Sequence, residues 1–188
     1  SRPGDIKYKD LNHDGVIDSN DQAPIGYNPV PEMTFSLTAG LNWKGFDFSV
    51  LLQGATRSSI YLQGDIAWDN SWGNYYEEHI GRWTPETAAT ATYPRFTKAA
   101  TATHPNYYKS DYWLKDSKYL RLKTLQVAYN FHFPLMKKLG LNTCQLAFAG
   151  YNLWTITPYL WGDPEARATN APSYPLSKTY TLSLKLGF

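Results

Sequence analysis

Ser177-Lys-Thr-Tyr-Thr-Leu-Ser-Leu-Lys-Leu-Gly-Phe188 is the stretch that decides the fold class of this chain. Its large apolar side chains occupy every second position: Tyr180, Leu182, Leu184, Leu186 and Phe188. Because successive side chains of a strand point to opposite faces, the stretch predicts a strand with one apolar and one polar face. Such a strand fits the wall of a transmembrane barrel, which is apolar outside and polar inside. It also fits a soluble β-sandwich, so this stretch alone leaves both architectures open.

Several earlier runs show the same alternation and predict further strands. They span residues 5–9, 33–43, 46–55, 117–133 and 142–153. Lys44-Gly45 predicts a tight turn that joins two of them into a hairpin. A change of phase near Lys123-Thr124 predicts a bulge, or the point where the strand leaves a bilayer. Short and long connections alternate along the chain, as they do between the up-and-down antiparallel strands of outer-membrane barrels. So few strands cannot close such a barrel, so we expect a fragment of a longer parent chain.

The composition points to interfaces and excludes several classes of function. Of the 188 residues, 15 are Tyr and 7 are Trp, and the mean hydropathy is −0.47. Amphipathic aromatic side chains suit water–lipid boundaries and contact surfaces. A net charge of +2 is too small to indicate a nucleic-acid partner. Cys144 is the single cysteine, so no internal disulfide can form. No apolar run reaches the roughly 20 residues of a membrane helix.

Residues 10–21 form the sharpest local motif, Asp-Leu-Asn-His-Asp-Gly-Val-Ile-Asp-Ser-Asn-Asp. Its oxygen donors have the spacing of a calcium loop, because Ca²⁺ takes six to eight hard oxygen ligands. The predicted ligands are Asp10, Asn12, Asp14, the backbone carbonyl of Val16, Asp18 and Asp21. The loop differs from an EF-hand in two respects. Asp21 occupies the position of the longer Glu, and the residues before the loop do not predict a helix. An Asx-rich turn without metal is the alternative interpretation.

Residues 56–116 predict a long irregular loop that is rich in aromatic residues. Five of these residues are candidates for contact with a partner or a substrate: Trp68, Trp72, Tyr75, Tyr76 and Trp83. Aromatic side chains of this kind stack on sugars or anchor protein interfaces. Packing of the loop against itself is the alternative. No catalytic motif is recognisable, and the histidines have no metal-binding spacing, so we expect no enzyme.

Four segments taken in order resemble a known family. They are the acidic loop at 10–21, Ile25-Gly-Tyr-Asn-Pro-Val-Pro-Glu-Met-Thr-Phe35, Asp116-Ser-Lys-Tyr-Leu-Arg-Leu-Lys123 and the final strand. Together they resemble the carboxy-terminal portion of a SusC/RagA-type TonB-dependent transporter, over nearly all of residues 1–188. The resemblance implies an all-β fold of antiparallel up-and-down strands, the last part of a barrel of about 22 strands with a plugged lumen.

The resemblance also implies a location and a set of partners. The location is the outer membrane of a Gram-negative cell, where membrane lipid surrounds the barrel. A SusD-like surface lipoprotein covers the barrel, TonB acts through the plug of the parent chain, and the cargo is an oligosaccharide or a peptide. The loop at 10–21 and the long loops at 56–116 and 154–176 are then extracellular. Two other readings of the residues stay open: a soluble calcium-dependent carbohydrate-binding β-sandwich, and a polysaccharide hydrolase or accessory enzyme.

Overall fold

The structure, a computed structural model, describes residues 2–69, 75–98, 103–166, 174 and 176–188. It divides into two compact units. The sheet unit contains Val30–Ser58, Ser117–Ala166 and Tyr174–Phe188, and the loop unit contains residues 2–29 and 59–116. The strands are β1 Met33–Trp43, β2 Phe46–Thr56, β3 Ser59–Tyr61, β4 Leu114–Asp116, β5 Tyr119–Asn130, β6 Thr143–Ile156 and β7 Thr179–Gly187. A single helical turn, α1, covers Leu135–Lys138.

The sheet unit is one antiparallel sheet with the strand order β1-β2-β5-β6-β7. Its connections are short at one end, at residues 44–45 and 131–142, and long at the other, at 57–118 and 157–178. Short and long connections thus alternate between the strands of this sheet. The sheet does not close on itself, since β1 and β7 each have one neighbour in it.

The register of the sheet separates an apolar face from a polar one. One row across all five strands reads Leu41, Phe48, Val127, Phe148 and Leu182. The adjacent row, on the opposite face, reads Asn42, Asp47, Ala128, Ala147 and Ser183. The apolar face is exposed rather than covered, and Leu182 retains 73% of its accessible surface. A continuous exposed apolar face of this size is unusual in a water-soluble sheet and indicates contact with another apolar phase.

Aromatic side chains line the end of the apolar face that carries the short turns. The ring centroids of Phe46 and Tyr129 lie 4.6 Å apart, and those of Tyr129 and Phe131 lie 4.8 Å apart. The hairpin turn beside them uses Lys44 and Gly45, both with positive φ, at 47° and 87°. Two successive left-handed residues give a turn whose twist matches that of the flanking strands. The predicted turn is confirmed, and the aromatic row resembles the girdle of a membrane barrel.

Most of the predicted strands are confirmed with small shifts at their ends, and so is the bulge. Leu122 pairs with Leu52, and Thr124 pairs with Leu51, so Lys123 is the extra residue. The prediction of a strand at 5–9 is wrong, because these residues form no ladder. Instead the Ile6 backbone N–H donates to Asn106 Oδ1 at 3.0 Å, so a side chain takes the bond that a strand would use.

The loop unit has a small core of its own, contrary to the prediction of an irregular loop over 56–116. Strands β3 and β4 pair through Ser59–Asp116, Ile60–Lys115 and Tyr61–Leu114. Trp113 is completely buried, and its Nε1–H donates to the Asn106 carbonyl at 2.8 Å. Leu62, Tyr93 and Tyr107 are buried as well. The described residues of this unit also form short 3₁₀ turns at 64–66, 77–81, 105–107 and 111–113. In the described part of the chain, no helix is long and apolar enough to cross a membrane.

Candidate functional site

The acidic loop at 10–21 is exposed, and its carboxylates organise its own backbone. Asp10 accepts the backbone N–H groups of His13 at 2.6 Å and Gly15 at 2.9 Å. Asp14 accepts that of Val16 at 2.8 Å, and Asp21 accepts those of Leu11 at 2.6 Å and Asp18 at 2.9 Å. These bonds, that from Asp18 first, lower the pKa of Asp21. The loop is thus a chain of Asx turns closed by Asp21, whose carboxyl has a pKa below its usual value.

The donor atoms of the loop suit calcium by type, but its acidic side chains do not converge on one point. Asp10, Asn12, Asp14, Val16 and Asp18 all offer hard oxygens, the ligands that Ca²⁺ prefers. Within the residues that the structure describes, no three Asp, Glu, His or Cys side chains converge closely enough to hold a metal ion. Gly15, with φ at 83°, sits at the turn where a calcium loop requires glycine. The calcium site therefore stays a prediction.

The aromatic candidates of the long loop do not form one surface. Trp68 is half-buried, with its ring 5.0 Å from that of Tyr107. Trp83 covers Gly4 so closely that a Cβ there would lie 2.5 Å from the indole. For these two tryptophans the contacts favour packing within the loop unit. Trp72 lies outside the described residues.

Tyr75 and Tyr76 lie together beside a shallow cavity of about 270 Å³, which is also lined by His79, Ile80, Arg82 and Phe96. Tyr75 is 56% exposed and stacks on Phe96, with the ring centroids 5.3 Å apart. The Arg82 guanidinium lies 5.0 Å from the same Phe96 ring. Sequence reasoning found the two tyrosines but missed the other lining residues, of which Phe96 comes from a segment farther along the chain.

Polar groups buried beneath this cavity fix the loop. The Tyr76 backbone N–H donates to His79 Nδ1 at 3.0 Å, and His79 Nε2 lies 3.2 Å from the Ala67 carbonyl. A backbone N–H only donates and a carbonyl only accepts, so these contacts place a proton on Nε2 and a free lone pair on Nδ1. Nearby Asp69 is fully buried, and this burial raises the pKa of its carboxyl. These groups hold backbone in place, and their bonds assign them no catalytic role.

A charge cluster on the polar face of the sheet unit was not foreseen from the sequence. Arg121, which is 3% exposed, donates to Asp163 Oδ1 at 2.8 Å and also to Glu165 Oε2. Lys123 lies 2.9 Å from the same Glu165 oxygen, and the Tyr119 hydroxyl donates to the other at 2.6 Å. The signal available in the sequence was an arginine within an otherwise ordinary strand, followed later by Asp163-Pro-Glu165.

Comparison with known proteins gives consistent relatives along the whole chain. No protein-family model matches it. It is 31% identical over 202 residues to TonB-dependent receptor P26 of Formosa agariphila, a match that covers 98% of this chain and 20% of that protein. It is 24% identical over 194 residues to TonB-dependent receptor SusC of Bacteroides thetaiotaomicron, covering 100% of this chain and 18% of SusC. The chain thus spans about a fifth of the length of these relatives.

The fold has a counterpart of known structure. The RagAB peptide importer in its open-open state superposes with a TM-score of 0.68 at 22% sequence identity. That superposition covers 92% of this chain and 19% of the matched chain. The similarity at this level of identity concerns the fold. It supports an all-β antiparallel sheet of the kind found in that transporter.

Proposed function

Because this chain is part of a TonB-dependent receptor of the SusC/RagA type, a protein of the Gram-negative outer membrane, we propose that its sheet is part of the wall of an importer barrel. The main support for this proposal is the register of the sheet, which separates an apolar face from a polar one. Its rows place Phe148 and Leu182 on an exposed apolar face and Ala147 and Ser183 on the opposite face. Lipid covers the first face, and the second lines the lumen. The exposed face disfavours the soluble sandwich, in which a second sheet would cover it.

The importer takes up oligosaccharides or peptides together with a SusD-like surface lipoprotein, and TonB acts through the plug of the parent chain. Two relatives support this assignment: the receptor named SusC and the chain from the RagAB peptide transporter. The RagAB protein is a peptide transporter by name, whereas the name of SusC states no cargo, so the experiment compares both cargo classes. The relatives are receptors and transporters by name, which favours transport over hydrolysis of a glycan.

The experiment compares cells that lack the full-length receptor with cells in which it is restored. Labelled oligosaccharides and labelled peptides are offered separately, and uptake is measured with and without TonB. We expect one cargo class to enter only when both the receptor and TonB are present. Equal uptake of both classes without the receptor would overturn the proposed function. Recovery of the receptor in the aqueous fraction without detergent would overturn the barrel wall.

The acidic loop binds calcium in this proposal, and the bound ion stabilises the external part of the receptor by mass action. The supporting observations are its oxygen donors, its spacing and its exposure. Because no three acidic side chains converge among the described residues, the loop must tighten when the ion binds. Asp14 is central to the motif, and its Oδ1 is engaged only by the neighbouring Val16 N–H among the contacts of the loop.

The calcium proposal is tested by calorimetric titration of the full-length receptor with Ca²⁺ and, separately, with Mg²⁺. Asp14→Ala is compared with Asp111→Ala, which removes an exposed carboxylate outside the acidic loop. We expect stoichiometric calcium binding in the wild type and in the Asp111 variant, and none at this site in the Asp14 variant. Absence of calcium binding in the wild type, or equal binding of both ions, would remove calcium from the proposal and leave the barrel wall untouched.

Tyr75 and Tyr76 are the aromatic residues that we retain as contacts for the lipoprotein or the cargo, because Tyr75 is exposed beside an open cavity. Trp68 and Trp83 serve mainly to hold the loop unit together. Replacing Tyr75 by Ala and measuring both the capture of the lipoprotein and cargo uptake distinguishes the two kinds of contact. Unchanged values for both measurements would leave Tyr75 with a packing role against Phe96.

A further inference from the structure

On the polar face of the sheet, Arg121 binds the carboxylates of Asp163 and Glu165. Both belong to one turn that is distant in the sequence. Arg121 lies in β5, opposite Gln53 of β2 and Thr155 of β6. Its Nε donates to Thr155 Oγ1 at 2.8 Å, so the guanidinium is held in place by the neighbouring strand. Its two remaining nitrogens bond Asp163 and Glu165. A planar guanidinium can satisfy acceptors in several directions at once, which an ammonium group cannot do in the same geometry.

The turn that supplies the carboxylates is built to present both of them together. The Glu165 backbone N–H donates to Asp163 Oδ1 at 2.9 Å, which makes an Asx turn around Pro164. The Ala166 N–H donates to the Asp163 carbonyl at 2.9 Å and closes the same turn. The turn thus holds both carboxylates on the side of Arg121, and its backbone needs no further ordering to bind the guanidinium. Because Pro164 restricts the backbone at the centre of the turn, the segment gains less conformational entropy when it is released from Arg121.

Further contacts hold the same segment at its beginning. The Thr157 hydroxyl donates to the Lys118 carbonyl at 2.8 Å, and Thr157 Oγ1 accepts the Tyr159 backbone N–H at 3.1 Å. Tyr159 itself is buried. Residues 157–166 therefore contact the sheet at both of their ends. The contacts of Thr157 hold the first end, and the charge cluster holds the second. Burial would raise the pKa of Asp163, but the hydrogen bond from Arg121 and the other donors lower it.

We propose that the Arg121–Asp163–Glu165 cluster is an electrostatic latch that holds residues 157–166 against the polar face of the sheet and releases them without unfolding it. The strands pair through their backbones, so they do not depend on the latch. Residues 157–166 belong to no strand, so side-chain contacts hold them, and at Asp163 and Glu165 the main contact is the latch. If the polar face lines the lumen, a step that rests on the proposed function, the latch sets how far this segment extends into the mouth of the barrel.

The test uses hydrogen exchange of the full-length receptor in detergent or lipid. Arg121→Met removes the charge and keeps most of the stem. Arg57→Met is the matched control, because Arg57 pairs with Glu32 at 3.5 Å in the same unit but is 62% exposed. Since breaking a buried ion pair costs far more than breaking an exposed one, we expect exchange in 157–166 to rise about tenfold or more only in the Arg121 variant. Exchange in β5, β6 and β7 should stay unchanged.

Two outcomes with Arg121→Met would overturn the latch. One is unchanged exchange in 157–166 when Arg121 is replaced, and the other is equal loosening of the segment and of the strands. Glu165→Gln removes a charge from the other side of the ion pair. It provides the test if the receptor that carries Arg121→Met does not insert into the membrane. It should loosen 157–166 alone, and no effect of this variant also overturns the latch. Membrane insertion is measured separately, so failure of the latch and failure of the barrel wall give different results.

Discussion

A positive charge placed on the apolar face tests the membrane orientation of the whole sheet. Leu182 lies in the middle part of β7, is 73% exposed and pairs with Phe148 in the central apolar row. An arginine on the lipid face of a barrel costs about 2–4 kcal/mol near the midplane and about 0–1 kcal/mol near the interfaces. Leu182→Arg should therefore lower the ratio of folded to unfolded receptor roughly 30- to 700-fold, at about 1.4 kcal/mol per tenfold change.

The adjacent residue provides the control. Ser183 is also exposed and belongs to the same strand, but it pairs with Ala147 on the polar face. Ser183→Arg places the same side chain in water, so its cost should stay within about 0.5 kcal/mol, as for ordinary surface substitutions. Leu186→Arg, near the end of β7 and opposite Cys144, should have an intermediate cost because it lies closer to the interface.

The assay is refolding of the full-length receptor from urea into lipid vesicles. The folded fraction is read from its electrophoretic mobility without heating and from its protection against protease. The expected order of destabilisation is Leu182→Arg first, then Leu186→Arg, then Ser183→Arg. If Ser183→Arg proved the most costly, or if all three variants matched the wild type, the apolar face would not contact lipid and the barrel wall would be refuted.

Two further predictions concern close packing and buried charge. Gly54→Ala should cost about 1–3 kcal/mol, because its Cβ would lie 2.8 Å from the Tyr119 carbonyl oxygen and 2.3 Å from the Phe35 ring. Gly40→Ala, whose nearest neighbour would be 3.6 Å away, should be tolerated, and equal urea midpoints would contradict this account. Burial raises the pKa of Asp69, so the folded loop unit favours the neutral carboxyl and loses stability as pH rises through that pKa. Asp69→Asn should therefore slow hydrogen exchange of the loop unit at neutral pH but not at acid pH, and parallel profiles at all pH values would contradict it.

The sheet was predictable because its determinants are local. A strand with one apolar face needs only alternation, and the bulge at Lys123 shows in the sequence as a change of phase. The same rule failed at residues 5–9, where Ile6 and Tyr8 alternate with lysines. Alternation does not say whether a neighbouring strand exists, and here Asn106 takes the Ile6 backbone bond instead.

The Arg121 cluster and the core of the loop unit were not predictable, because both depend on contacts between distant residues. Arg121 and Asp163 are 42 positions apart, and no periodic pattern joins them. Tyr75 and Phe96 come together only because the segments that carry them fold back on one another. The acidic loop is the opposite case, because its signal is entirely local. The spacing of its residues predicts a calcium site, but its acidic side chains do not converge in the structure, so the site stays a prediction.

The excess of Tyr and Trp follows from two separate physical demands on one chain. On the sheet, Tyr129 lies beside Phe46 near the short turns, where the amphipathic ring of a tyrosine suits the boundary between lipid and water. In the loop unit there is little regular structure to bury aliphatic side chains, and large rings give the most burial for each residue ordered. Trp113 shows both properties of such a ring, since it is fully buried and still donates to the Asn106 carbonyl. A polar average composition and a membrane wall are therefore compatible, because only one face of each strand must be apolar.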